Sequence, residues 1–480
     1  MNTRFIIHIL GSLLIIEGGL MLFPAIVALF YGEQDFVPFL LSVLIASGVG
    51  LVCRFFSKNS SQEISKREGH IIVSAVWIVF AVFGALPFLL SGQVTSLVDA
   101  FFETMSGFTT TGCTAMPNVE ALTHGMLFWR ALMHFTGGVG ILVLIIAVLP
   151  IFGVGSMTIF QLETSNASIN RLSPRIKDTA TYIFRFYVFF TILCMLLYLP
   201  EMGFFDAICH AFSTTASGGF STRNASLGAY SGYSQYVSIV FMLLAGTNFT
   251  LMYYAWKREF RKISHSDEFR FYLMIVLVVS VFVACGLLYK GFGVERAIRE
   301  SLFPVVSILT TTGYVVGDYT LWAPPLWFIV LITAFVGGCA GSTAGGLKVV
   351  RFILLLKMIP VQFKRLLHQH GVISVKLNKQ NVPEEQMFRT LSYFMIFLSV
   401  FIAGDFILLI CGLDSTSALG ATVACLTNCG QGLGAVGPSG NFSELSVAGK
   451  LVCSFLMLLG RLELYAILII FSRDFWNKQR

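Results

Sequence analysis

The sequence predicts an all-α polytopic membrane protein built from four pseudo-repeated units, and three observations carry that prediction. First, 56% of the 480 residues are hydrophobic and only 12% charged, with a mean hydropathy of +0.80, whereas soluble globular domains are about one quarter charged. Second, ten stretches stay apolar over the ~20 residues needed to cross a bilayer. Third, a threonine- and glycine-rich run recurs as FTTTGC (Phe108 to Cys113), TTASGGF (Thr214 to Phe220), LTTTGY (Leu309 to Tyr314) and, more distantly, LTNCGQG (Leu426 to Gly432). Matching Gly112, Gly219, Gly313 and Gly430 gives a repeating unit of roughly a hundred residues.

The expected spans are 5–30, 37–56, 70–91, 126–150, 179–200, 234–257, 270–290, 325–357, 390–412 and 449–472. Arg4 before the first apolar run gives it some look of a signal peptide, but Glu17, Pro24 and the missing small-residue cleavage pattern favour a retained span. The first two spans form an N-terminal hairpin, 1–60, outside the repeat. The units then occupy 61–155, 156–262, 263–370 and 371–480. In each, a segment too short to span (about 96–108, 203–214, 296–309 and 415–426) precedes the threonine-glycine run. Non-helical backbone at membrane depth is tolerated only where protein buries it or it lines a watery cavity. Each unit therefore reads as helix, pore loop, helix, giving ten spanning helices and four re-entrant loops around a central pore. The repeat is tightest between DAFFETMSGFTTTG (Asp99 to Gly112) and DAICHAFSTTASGG (Asp206 to Gly219), whose equal spacing selects Gly219 rather than Gly218.

The net charge of +7 is assigned by its distribution. If the chain starts in the cytoplasm and alternates, most Lys and Arg collect on one side, from Arg4, Arg54, Lys58, Lys66, Arg67, Arg171 and Arg175 to Lys478 and Arg480. The opposite connections carry acids such as Glu33, Asp35, Asp99, Asp206, Asp318 and Asp414. The positive-inside rule puts both termini in the cytoplasm, and no nucleic-acid partner is needed to explain the charge. The ten cysteines lack a CxxC pair and read as reduced and packed.

The repeated runs suit a cation filter. A dehydrated potassium ion needs a ring of oxygens in place of its hydration shell, which four backbone strands supply through their carbonyls. Glycine permits the unusual backbone such a strand needs, and small neighbours let the strands approach the axis. The candidate filter is thus Thr110, Thr111 and Gly112; Ser217, Gly218 and Gly219; Thr311, Thr312 and Gly313; and Asn428, Cys429 and Gly430. The C-terminal ends of the short helices favour cations at the same place. The bland alternative, four tight extracellular turns, does not account for the repetition.

Span 325–357 is too long for one straight crossing at 1.5 Å per residue, and its centre, VGGCAGSTAGG (Val336 to Gly346), is poorly helical. A broken helix there yields either a gate beneath the filter, with Gly337, Gly338, Gly341, Ser342, Gly345 and Gly346, or a glycine-rich packing face. Arg461, inside the last span, is either an electrostatic barrier in the pathway or a partner of Glu463 or Asp405. Glu17, Arg130, Arg185 and Lys348 read as paired or snorkelling charges, and His134 and His210 as lone histidines. No GxxxxGK[ST], HExxH or Rossmann pattern is present, nor a nucleophile-base pair, which disfavours an enzyme.

Together the four runs, GGCAGSTAGGLKVVR (Gly337 to Arg351) and GRLE (Gly460 to Glu463) resemble the Trk/Ktr/HKT superfamily of potassium transporters, and the N-terminal hairpin resembles its TrkH-type membrane subunits. The resemblance implies a homodimer in a bacterial inner membrane, one pore per protomer, with Gly112, Gly219, Gly313 and Gly430 closing the filter. It implies that 337–346 is the gate and that Arg461 lies in the pathway. It also implies a cytosolic TrkA-type subunit that binds the nucleotide, NAD(H) or ATP/ADP; this chain binds no cofactor itself, only K+ as cargo. The basic loop 358–387, with Lys364, Arg365, Lys376 and Lys379, is either a docking surface or ordinary positive-inside charge. A channel-like uptake pore is expected; the alternative is a proton- or sodium-coupled symporter working by alternating access. One glycine per strand, where tetrameric potassium channels carry TVGYG, points to weaker exclusion of sodium.

Overall fold

A computed structural model describes residues 2–57, 66–140, 176–368 and 373–477. The second half of expected span 126–150, the expected boundary at 155 and 156, and Lys58, Arg171, Arg175, Lys478 and Arg480 lie outside the described residues.

Two long apolar helices, α1 (Thr3–Tyr31) and α2 (Phe36–Phe56), pair as the expected hairpin. Small residues set their approach: a Cβ on Gly11 would meet the Gly50 carbonyl, and one on Gly50 the Gly11 carbonyl. Such contacts are how helices associate where no hydrophobic force separates them from lipid. Glu17 of α1 departs from expectation. It is fully buried, and among the described residues neither carboxyl oxygen has a hydrogen-bond partner; burial beside Gly84 leaves it no route to snorkel.

Apart from three short helices at Leu86–Leu90, Phe260–Ser264 and Arg473–Trp476, the remaining described helices fall into four groups in chain order. The first is α3 (Lys66–Gly84), α4 (Leu97–Phe108) and α5 (His124–Gly138). The second is α6 (Ile176–Thr215), α7 (Gly232–Ala245) and α8 (Phe249–Trp256). The third is α9 (Asp267–Tyr289), α10 (Val294–Leu309), α11 (Pro324–Val336) and α12 (Val349–Leu367). The fourth is α13 (Glu384–Ile410), α14 (Ser415–Leu426), α15 (Val447–Arg461) and α16 (Tyr465–Leu468). In the second group the expected span and short segment are one helix kinked at Gly203, whose φ of 73° departs from helical geometry.

Six described helices are long and apolar enough to cross a bilayer, or eight if each of two bent pairs is one crossing. Those two bends add to the break expected within 325–357. Between α7 and α8 the chain turns by 102°, and after α15 by 107°. Gly246, Thr247 and Asn248 make the first bend, with Asn248 capping the next helix through Thr250 N. Leu462 to Leu464 make the second, where Glu463 and Leu464 take positive φ. Neither carries a glycine cluster like 337–346. Large apolar side chains such as Phe55, Leu277 and Phe406 point outward, the pattern of a lipid-facing perimeter, while the short helices α4, α10 and α14 are largely buried at the centre.

Candidate functional site: a ring of four strands

The three short helices and the second half of α6 end alike. Two residues before each matched glycine, Thr110, Ser217, Thr311 and Asn428 hold left-handed φ of 52°, 54°, 54° and 55°. The glycines follow at 84°, 81°, 79° and 77°. Non-glycine residues in this region cost about 1–3 kcal/mol and persist only where the surroundings over-determine them. Here the helix end does so: Thr111 N donates to Ser106 O at 2.9 Å, Gly218 N to Ser213 O at 2.9 Å, Thr312 N to Ser307 O at 2.8 Å and Cys429 N to Ala424 O at 3.0 Å. Four runs that differ in sequence thus share one backbone.

The strands also interlock in a closed cycle. A Cβ added at Gly112 would fall on the Gly218 carbonyl oxygen, at Gly219 on that of Thr312, at Gly313 on that of Cys429, and at Gly430 on that of Thr111, in every case well inside 3.0 Å. Each strand lies against the next and the fourth against the first. A Cβ would collide with backbone at all four positions, and their positive φ disfavours a side chain independently.

Side chains brace the ring from behind. Thr109, Thr310 and Thr427 hydroxyls donate back to Met105, Val306 and Val423 carbonyls. In the divergent fourth strand Asn428 Nδ2 donates to Thr111 Oγ1 and to Met457 O, both at 2.9 Å. On one side of the ring a cavity of about 210 Å³ is lined by all four glycines. Beside that mouth Glu103 and Arg130, both buried, pair at 2.7 Å. Glu103 also accepts from Ala115 N, and Arg130 donates to Ser221 O while stacking on Phe220 at 4.0 Å. This pair joins the chain leaving the first strand to the chain leaving the second. His134 and His210 likewise serve the second strand, through Ser213 Oγ and Ser221 Oγ.

The break between α11 and α12 supports the other side of the ring. Gly337, Gly341 and Gly346 take φ of 72°, 74° and 76°, and Gly338 and Gly345 are too crowded for a Cβ. Ser342 closes a tight turn onto Cys339 O. Gly345 N donates to Thr311 Oγ1 at 2.6 Å, and Thr343 Oγ1 pairs with Ser217 Oγ at 2.8 Å. Glu268, at the start of α9, accepts from Ala340 N at 2.6 Å. Lys348 does not snorkel; it bonds the Ala344 carbonyl of the same loop.

Arg461 also touches this loop. Its guanidinium donates to Thr343 O at 3.0 Å and to Gly137 O at the end of α5. Of the two alternatives for Arg461, the pairing with Glu463 or Asp405 is not found among the described residues: Glu463 pairs with Arg351 at 2.5 Å. The six expected loop residues and Arg461 therefore converge on one assembly with the ring. Thr343, Glu268, Glu103 and Arg130 join it without having been singled out as a site. Thr343 lay inside the glycine-rich motif, masked by its neighbours. The other three signalled only as isolated charges within or beside apolar spans.

A family model named TrkH, described as cation transport protein, matches residues 37–283 and 271–478. The chain is 36% identical over its whole length to Trk system potassium uptake protein TrkH of Salmonella typhimurium, whose whole length it also covers. It is 34% identical to Trk system potassium uptake protein TrkG of Escherichia coli, over 99% of this chain and all of that one. It also resembles the crystal structure of the potassium transporter TrkH from Vibrio parahaemolyticus, with a TM-score of 0.90 and 35% identity over 99% of this chain and all of that one. The chain belongs to the TrkH family of cation transport proteins, whose members are ion transporters and not enzymes.

Proposed function

We propose that this chain takes up potassium across a bacterial inner membrane through a gated pore whose filter is the four-strand ring. The closed cycle of glycine contacts carries this reading. It brings four equivalent backbones together with left-handed geometry, and carbonyls in such a ring can replace an ion's hydration shell. The ends of α4, α6, α10 and α14 add their negative dipole ends at the same point. The full-length relatives named as potassium uptake proteins supply the choice of ion.

In this reading each unit contributes a re-entrant loop, the loop at 337–348 is the gate, and Arg461 tethers it. The tether is charge-assisted, which makes each such bond stronger than a neutral one. The relatives' name, Trk system, supports a multi-component assembly, here a homodimer with a cytosolic TrkA-type subunit that binds the nucleotide. The basic stretch 358–387 is the proposed docking face, with both termini on that cytoplasmic side. Proton- or sodium-coupled transport is the competing mechanism. Of Asp405 and Glu463, the carboxylates within the last two spans that could serve it, Glu463 is engaged by Arg351.

The test is the reversal potential of the purified protein in proteoliposomes under imposed proton and sodium gradients. A channel's reversal potential ignores the proton gradient and responds to sodium only through its potassium-to-sodium permeability ratio, with uptake driven by about 2.3 kcal/mol per charge per 100 mV. A reversal potential displaced by the proton or sodium gradient in fixed stoichiometry would establish the coupled carrier instead.

A further inference from the structure

The ring is fourfold in its backbone but not in the donors that reach its glycine carbonyls. The residue after each glycine is Cys113, Phe220, Tyr314 or Gln431, and two of the four turn back onto a neighbouring strand. Gln431 Nε2 donates to the Gly313 carbonyl oxygen at 2.6 Å, and Cys113 Sγ lies 3.7 Å from that of Gly430. Phe220 and Tyr314 turn away: Phe220 stacks under Arg130, and the Tyr314 hydroxyl donates to His210 O. Among the described residues no side-chain donor meets Gly112 O or Gly219 O.

A carbonyl that accepts an amide hydrogen bond gives up one lone pair and has positive charge set beside it. It therefore offers less to a passing cation than a bare one. Gln431 is only 5% exposed, so this bond is screened little by water, and it lines the same mouth as the four glycines. The Cys113 thiol is a weak donor and acts in the same sense on Gly430.

Resting on the pore reading above, we propose that Gln431 is a specificity-determining residue: it engages the Gly313 carbonyl and, with Cys113 on Gly430, leaves the ring of glycine carbonyls with two bare members, Gly112 and Gly219. Potassium, which is selected by the number and strength of its oxygen ligands, is discriminated less well there than a symmetric ring would allow.

The test is the potassium-to-sodium permeability ratio of Gln431→Met, which keeps the volume and removes the donor. The expected result is a rise of about threefold or more, the scale of one neutral hydrogen bond, with a smaller rise for Cys113→Ala. Gln431→Asn, one methylene too short to reach, gives the same direction and serves if the methionine variant does not fold. A ratio that is unchanged or lower in a variant that still conducts would overturn the role of Gln431 and leave the pore intact. Native protein that carries no potassium current would overturn the pore, and this inference with it.

Discussion

Arg461 Nη1 donates to the Thr343 carbonyl oxygen at 3.0 Å, and the same guanidinium reaches Gly137 O. One side chain of α15 thus ties the glycine-rich loop to the end of α5. Thr343 Oγ1 meets Ser217 Oγ of the second strand, and Gly345 N meets Thr311 Oγ1 of the third. The loop and its tether engage the ring or its supporting helices in all four groups.

Arg461→Ala removes the charge-assisted bonds to Thr343 O, Gly137 O and Gly138 O, and since even one such bond is worth about 1.5–3 kcal/mol, open probability should rise by about tenfold or more in single-channel recordings. Arg461→Lys separates tether from barrier. A lysine keeps the charge but lacks the planar fork that spans two carbonyls. If tethering dominates, lysine behaves like alanine; if charge alone dominates, lysine behaves like the native protein.

Thr343→Val deletes the hydroxyl that meets Ser217 Oγ and stands within reach of the Thr215 and Ala245 carbonyls, while keeping the shape and the carbonyl that Arg461 uses. Open probability should rise by about threefold, the scale of one neutral bond. Combined with Arg461→Ala, the effect should be less than additive, because both changes free the same loop. Full additivity in the double-mutant cycle would place the two residues on separate devices.

Glu103→Gln leaves Arg130 buried against a neutral partner. Breaking a buried pair in this way typically costs about 3–5 kcal/mol, which should show as a clear fall in Tm in detergent. Replacing both residues by leucine and methionine should recover much of that loss. A single variant as stable as the native protein would mean that the pair contributes little to the mouth of the ring.

Glu17→Met should raise Tm, since the native carboxyl is buried with both oxygens unpartnered among the described residues. An unsatisfied buried polar group costs about 1–3 kcal/mol. A lower Tm would show that Glu17 has a stabilising contact beyond those residues.

Much of this site was legible because it repeats. Any one threonine-glycine run is a turn, but the register Gly112, Gly219, Gly313, Gly430 is also the register in which the backbone angles coincide. The fourth run was hardest to align, and its likeness lies in backbone geometry: Asn428 takes the same left-handed φ as Thr110, and its amide stands where the others offer a hydroxyl. The broken helix at 337–348 was legible from glycine content and span length. The bends at Gly246 and Leu462 were not, since each falls inside an otherwise apolar span and is marked only by a short polar interruption, Gly246 to Asn248 and Arg461 to Glu463. Partner choice was the least legible feature. Arg461, Glu463 and Arg351 are close in sequence or in composition, and only the fold decides that Glu463 goes to Arg351 while Arg461 goes to backbone carbonyls.

The ring of four equivalent glycines is tested most directly by the potassium-to-sodium permeability ratios of Gly112→Ala, Gly219→Ala, Gly313→Ala and Gly430→Ala, each measured in protein shown to be folded. Each added Cβ meets the carbonyl of the next strand, so all four ratios should fall, by comparable amounts of about tenfold or more if one ion-oxygen interaction of ~1.4 kcal/mol is lost. A large loss at Gly112 with native ratios at the other three would contradict the fourfold ring.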